Sequence, residues 1–183
     1  MRQSDHMKWG SRKMNKCAAT ISAGMFTVAL SLLPTSARTA STDEEQIRKV
    51  YEQLIAGCNA KDVNAIMDAY VADESLLVFD ALPPRQYVGA KAYRKDWEEF
   101  LAFFKGPVKC EFSELRVVAD MMLGYGHTIF HTSGTDTKDK PVDLTMRVTD
   151  VYRKIGGAWK IVHEHISFPV DLDTGKPDLS SKP

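Results

Sequence analysis

The sequence predicts an α+β domain in which a curved antiparallel sheet wraps around three N-terminal helices and leaves one end open. Three features predict it. Apolar residues recur at helical spacing in the first half of the chain, whereas residues from Val108 onward read as long stretches of strand character. Gly106-Pro107 separates the two halves, a pair that stops a helix. The last two strand-like stretches meet at Ile155-Gly156-Gly157, where adjacent glycines supply the positive φ that a tight hairpin requires.

The chain of 183 residues fits one domain plus a short extra segment, and that segment lies at the front. Arg12, Lys13 and Lys16 precede an uncharged stretch from Cys17 to Ala37, which ends Pro34-Thr35-Ser36-Ala37. This is the layout of a secretory signal peptide cleaved near Ala37 or Ala40, with Met14 as an alternative start. The apolar core falls short of the ~20 residues a spanning helix needs, so no stable membrane insertion is expected after its removal. The expected organisation is therefore 1–40 as extension and signal, 41–170 as the folded domain and 171–183 as a flexible polar tail.

Loss of the first 40 residues leaves 18 Lys+Arg against 23 Asp+Glu. An acidic domain of this kind is a poor nucleic-acid partner. Cys17 leaves with the signal, while Cys58 and Cys110 would mature where a disulfide is allowed; two buried free thiols are the alternative. Their spacing fits no zinc motif.

Each element has its own signal. Ser41 with Glu44, or Thr42 with Glu45, forms a capping box, and Ile47, Val50, Tyr51, Leu54, Ile55 and Cys58 follow down one helical face. Asp62 caps a shorter helix facing inward with Val63, Ile66, Met67 and Tyr70. Leu76 to Phe79 is a short apolar strand ending at Asp80, and Pro83-Pro84 breaks the chain after it. A third helix from Ala90 to Phe104 presents Tyr93, Trp97, Phe100, Leu101 and Phe104. Four strands are then expected at Val108–Val118, Met121–Ser133, Val142–Lys154 and Ala158–Phe168. In the last, alternation puts Ile161, His163, His165 and Ser167 on one face and Val162, Glu164, Ile166 and Phe168 on the other. Trp159 is expected to pack beside the glycine turn.

The order of elements, with Arg147-Val-Thr-Asp-Val-Tyr-Arg-Lys-Ile-Gly-Gly-Ala-Trp-Lys-Ile-Val-His-Glu-His-Ile-Ser167, resembles the SnoaL-like and ketosteroid-isomerase-like branch of the nuclear transport factor 2 fold. The final hairpin is also similar to that of the association domain of calcium/calmodulin-dependent kinase II. The resemblance covers Asp43 to Phe168 and implies a cone-shaped sheet with a ligand pocket at its mouth. It implies a general-base aspartate at the end of the first strand, nine residues before a glycine, which is the spacing of Asp80 and Gly89. It further implies a proton-donating carboxyl at Asp150, two residues before Tyr152. The oxyanion tyrosine of the isomerases falls on Leu54, with Tyr51 about one turn away.

By the same resemblance Glu164, Ile166 and Phe168 face the cavity, and so does the face of the Met121–Ser133 strand that carries Tyr125, His127, Ile129 and His131. His127 and His131 are roughly 13 Å apart along a strand, too far to share a metal ion. His163 with His165 would need a third ligand, so no metal and no cofactor are expected. The resulting expectation is an exported, cofactor-independent protein that binds a small apolar or carbonyl-containing ligand and moves a proton. Asp80 acts as base with Asp150 and His127 as donors, and Tyr87, Trp97, His131, Tyr152, Glu164, Ile166 and Phe168 form the ligand wall. Plainer roles stand beside these: Asp80 as a turn aspartate, Asp150 in a cross-strand ion pair with Arg147 or Arg153. A non-catalytic binding module and a homodimeric scaffold are the alternative functions.

Overall fold

The computed structural model describes residues 42–181, so Ser41 and the expected signal segment lie outside the described residues. The elements run α1 (Thr42–Ala60), α2 (Val63–Met67), β1 (Leu77–Phe79), β2 (Tyr87–Val88), α3 (Ala90–Phe103), β3 (Phe104–Asp120), β4 (Leu123–Asp136), β5 (Pro141–Ile155) and β6 (Ala158–Ser167). Among the described residues no helix is long and apolar enough to cross a membrane.

Helix α1 opens on Asp43, Glu44 and Glu45, negative charge where the helix dipole favours it, and buries Ile47, Tyr51, Leu54 and Cys58. Asp62 caps α2 as expected, its Oδ1 accepting from the amides of Asn64 (2.9 Å) and Ala65 (3.1 Å). Gly89 introduces α3 at φ 84°, a conformation that side chains with a Cβ resist.

The six strands form one sheet in the order β2-β1-β6-β5-β4-β3. All neighbours are antiparallel except β1 and β6, which run parallel with Leu77, Val78 and Phe79 opposite His163, Glu164 and His165. The sheet is thus mixed, a correction to the antiparallel expectation. The reason is that β1, paired antiparallel with β2 on one side, lies on its other side against the last strand of the meander, with which it runs parallel. Gly156 and Gly157 take φ 57° and 87° in the final hairpin, as the sequence requires. Trp159 packs behind that turn, and its Nε1–H and the Lys154 ammonium both reach Asp43 Oδ1 (3.1 and 2.5 Å). The hairpin is tied in this way to the first turn of α1.

Two faces differ from expectation. Over Gly124–Thr132 of β4 the buried positions are Gly124, Gly126, Thr128, Phe130 and Thr132, whereas Tyr125 and His127 are exposed and Ile129 and His131 partly so. The cause is helix packing: a Cβ on Gly124 would lie 2.7 Å from Ile47 Cδ1, and one on Gly126 2.4 Å from the Tyr51 hydroxyl. The face of β4 that carries Gly124 and Gly126 receives α1 at those two positions, so the histidines point outward. On β6 the register shifts opposite Val151/Tyr152, and Ile161 joins Glu164 and Ile166 among the buried residues. A bulge at Val162 and His163 has reversed the alternation partway along the strand.

Cys58 and Cys110 form a disulfide with Cα atoms 6.1 Å apart, joining α1 to β3 at the sheet edge. The neighbouring Asn59 covers that edge: its Oδ1 accepts from the Cys110 amide (2.9 Å) and its Nδ2 donates to the Cys110 carbonyl (3.1 Å). The polar tail, expected to be loosely attached, turns back at Asp171. The Thr145 amide donates to the Leu179 carbonyl at 2.8 Å, beyond the point where β6 ends.

Candidate functional site

A cavity of about 320 Å³ opens between α3, the segment after β1, and the inner faces of β4, β5 and β6. Its walls are mostly apolar: Leu82, Trp97, Phe100, Phe130, Met146, Ile166 and Phe168 all contribute. Helix α3 supplies one side because Tyr93, Asp96, Trp97, Phe100 and Phe103 recur at intervals of three and four.

Asp80 lines this cavity at the end of β1. Its Oδ1 accepts the Leu82 amide at 2.9 Å, so the same side chain makes the local turn and faces the ligand space. Burial pushes its carboxyl up to about 6, the Leu82 amide works against that shift, and the charge of Asp96 adds to it. Asp96 accepts from the Tyr87 hydroxyl at 2.5 Å. Burial raises its pKa too, with the Tyr87 bond opposing and Glu99 adding. Tyr87 and Trp97 are both wall residues, and the buried Trp97 Nε1–H has no acceptor among the described residues.

Behind the cavity lies a second acidic centre. Asp150 and Glu164 sit opposite each other on β5 and β6, 0 % and 4 % exposed. Tyr51 donates to Asp150 Oδ2 at 2.6 Å, Tyr70 donates to Glu164 Oε1 at 2.9 Å, and Tyr93 donates to Glu164 Oε2. Tyr152 is fully buried beside them; its hydroxyl and Asp150 Oδ1 have no partner among the described residues. Burial raises both carboxyls, Asp150 to about 6, and the charge of Asp150 lifts Glu164 further. Two carboxyls facing each other out of water hold a proton between them more tightly than either would alone. Glu164, Leu54 and Tyr70 border a small inner cavity of about 20 Å³, which shares Trp97, Phe130 and Ile166 with the larger one. Tyr93 connects the two regions, lining the large cavity while bonded to Glu164.

The expected site residues therefore divide. Asp80, Tyr87, Trp97, Ile166 and Phe168 share the cavity. Asp150, Tyr152 and Glu164 do not line it, and belong to the buried acid and tyrosine cluster. Asp80 and Asp150 do not meet in one pocket, because Asp150 is enclosed by Tyr51 of α1 and by Tyr152; the carboxylate that bears on Asp80 is Asp96. His127 lies with Arg116 and Arg147 in an open groove that includes the outer face of the sheet. Further along β4, His131 bonds Asp143, Nε2 to Oδ1 at 2.9 Å, with Glu111 at 3.6 Å. Neither histidine reaches the cavity. His163 is held at Nδ1 by the Leu77 carbonyl (2.8 Å), and no group of three or more metal-ligating side chains occurs among the described residues.

Asp96 and Tyr93 were not foreseen as site residues. Asp96 carried a signal, since it is a carboxylate three residues from Tyr93 and four from Phe100, inside an otherwise aromatic stripe.

Comparison with known proteins agrees with this architecture. Residues 47–171 match the SnoaL-like domain family. A nuclear transport factor 2-like protein of unknown function from Pseudomonas putida is 30% identical, aligns over 79% of this chain and 99% of its own, and superposes with a TM-score of 0.70. A nuclear transport factor 2-like superfamily protein from Salmonella enterica (14% identity, 75% and 99% covered, TM-score 0.66) shares the fold. So does a candidate dehydratase from Streptomyces avermitilis (14%, 70% and 97%, 0.60). No curated protein matches the chain.

Proposed function

This chain belongs to the SnoaL-like family, and on that footing we propose that its cavity binds a small, largely apolar organic molecule and that Asp80 accepts a proton from it. The observation that carries the proposal is Asp80 itself: a carboxylate among apolar walls whose pKa, raised to about 6, suits a base near neutral pH. With a carbonyl-containing ligand, the proton leaves the carbon next to the carbonyl for an Asp80 oxygen, and the electron pair moves to the carbonyl oxygen. Asp80 then returns the proton to the same or another carbon. Asp150 and His127, expected as donors, do not line the cavity and take no part in this step. The chemistry resembles that of ketosteroid isomerases, with Leu54 in place of their tyrosine.

Proton exchange measures this directly. In deuterium oxide, aryl ketones incubated with the protein are expected to exchange their acidic C–H positions. Asp80→Asn should slow that exchange by about a hundredfold or more. The rate should rise with pH through about 6 and then level, since only the ionised carboxylate accepts a proton. Equal exchange with both proteins overturns the proton-transfer reading, and saturable binding without exchange favours the binding module.

Two further features complete the proposal. The sequence from Arg12 to Ala40 supports export, as does a disulfide that persists in oxidising compartments. The mature mass should then begin after Ala37 or Ala40. The exposed Leu123 and Tyr125 on the outer sheet face support a homodimer, expected as the main species in sedimentation at micromolar concentration.

A further inference from the structure

We propose that the ligand of this cavity carries a positive charge: a protonated amine on an aromatic or aliphatic body. The inference rests on the cavity being a ligand site and adds what kind of ligand it selects. Asp80, Asp96 and Glu99 line the cavity, and no lysine, arginine or histidine does. Glu99 has a cationic neighbour in Lys95 at 3.4 Å, but both side chains are largely exposed, and such a pair leaves most of the field in place. Asp96 is held by a neutral phenol and Asp80 by a backbone amide. Neither has an ion-pair partner among the described residues, and each has its pKa raised by burial, as carboxylates do when nothing cationic compensates them.

The remaining wall suits a cation as well. Trp97 and Phe100 meet edge to face at 5.6 Å on α3, and Tyr87, Phe103 and Phe168 add rings around the same space. Ring faces attract an ammonium or alkylammonium group while the apolar walls take its body. Asp96 and Glu99 lie three residues apart on the helix face that meets the cavity, so both carboxylates can address one cationic group near the mouth. A ligand carboxylate entering the same place would meet the carboxyl groups of Asp80, Asp96 and Glu99 with no lysine, arginine or histidine in the wall.

Three probes that share one aromatic body separate the possibilities: naphthylethylamine, naphthylethanol and naphthylacetate, titrated into the full-length protein near pH 8. At that pH Asp80, raised to about 6, is ionised and an alkylamine of ordinary basicity remains protonated. The amine is expected to bind at least about tenfold more tightly than the alcohol, and the acid more weakly than both. In the double variant Asp96→Asn, Glu99→Gln the amine-to-alcohol ratio should fall to about threefold or less. Glu99→Gln alone, at an exposed position, should lower the ratio by a smaller factor if the double variant fails to fold. Binding of the alcohol as tight as that of the amine overturns the inference and leaves the cavity reading standing. Binding of none of the three overturns both.

Discussion

Replacing Cys58 and Cys110 together by alanine is expected to lower the unfolding free energy by about 4 kcal/mol. The bridge closes a loop of 52 residues, and the chain entropy it removes from the unfolded state corresponds to about that amount. Its position adds a native-state role. The first turn of α1 is tied to the final hairpin through Asp43, and the last turn is tied to β3 through the disulfide and Asn59. Without the bridge, the end of the helix is held against the edge strand by Asn59 and by the Lys61 ammonium, which donates to the Phe104 carbonyl at 2.7 Å. Urea unfolding of the double variant should show a midpoint lower by on the order of 2 M, and the reduced wild type should follow it. A midpoint unchanged by reduction would show that the crosslink does not form in solution.

The parts of this architecture that were legible in the sequence are those with a local cause. Asp62 caps α2, Gly156 and Gly157 turn the last hairpin, and Tyr93, Trp97 and Phe100 line one face of α3 because each signal acts within a few residues. The face of β4 was not legible, because its inward positions are marked by missing side chains. Gly124 and Gly126 give no hydrophobic signal, and their purpose appears only when Ile47 and Tyr51 are packed against them. The alternation of Tyr125, His127, Ile129 and His131, expected to face inward, therefore faces outward. The same distance from local cause explains Asp150. Its position before Tyr152 matches the resemblance, but what it meets is decided by Tyr51, 99 residues away. Asp80 was legible through the resemblance, which implies a carboxylate at the end of the first strand nine residues before Gly89, while the walls it meets come from α3 and the later strands.

The buried acid pair should reveal itself as a pH-dependent difference in stability. In the folded protein Asp150 has its pKa raised from an ordinary 3.8 to about 6, so the folded state holds that proton more tightly than the unfolded chain does. Stability from this group is fully present below about pH 4 and is lost as the pH rises through about 6. The shift corresponds to about 3 kcal/mol at most. Asp150→Asn removes the titration while leaving an oxygen to accept from Tyr51. Relative to wild type, the variant should gain stability between pH 4 and pH 8 by up to that amount, whatever fixed cost the substitution itself carries. Glu164→Gln should shift the balance in the same direction, since Glu164 is raised by burial and by the charge of Asp150. The comparison isolates the pair because other carboxylates cancel between the proteins, including Asp43, which Lys154 and Trp159 hold below the usual range. A difference that stays constant with pH would mean that Asp150 does not change its charge on unfolding. The four tyrosines would then form an ordinary polar core.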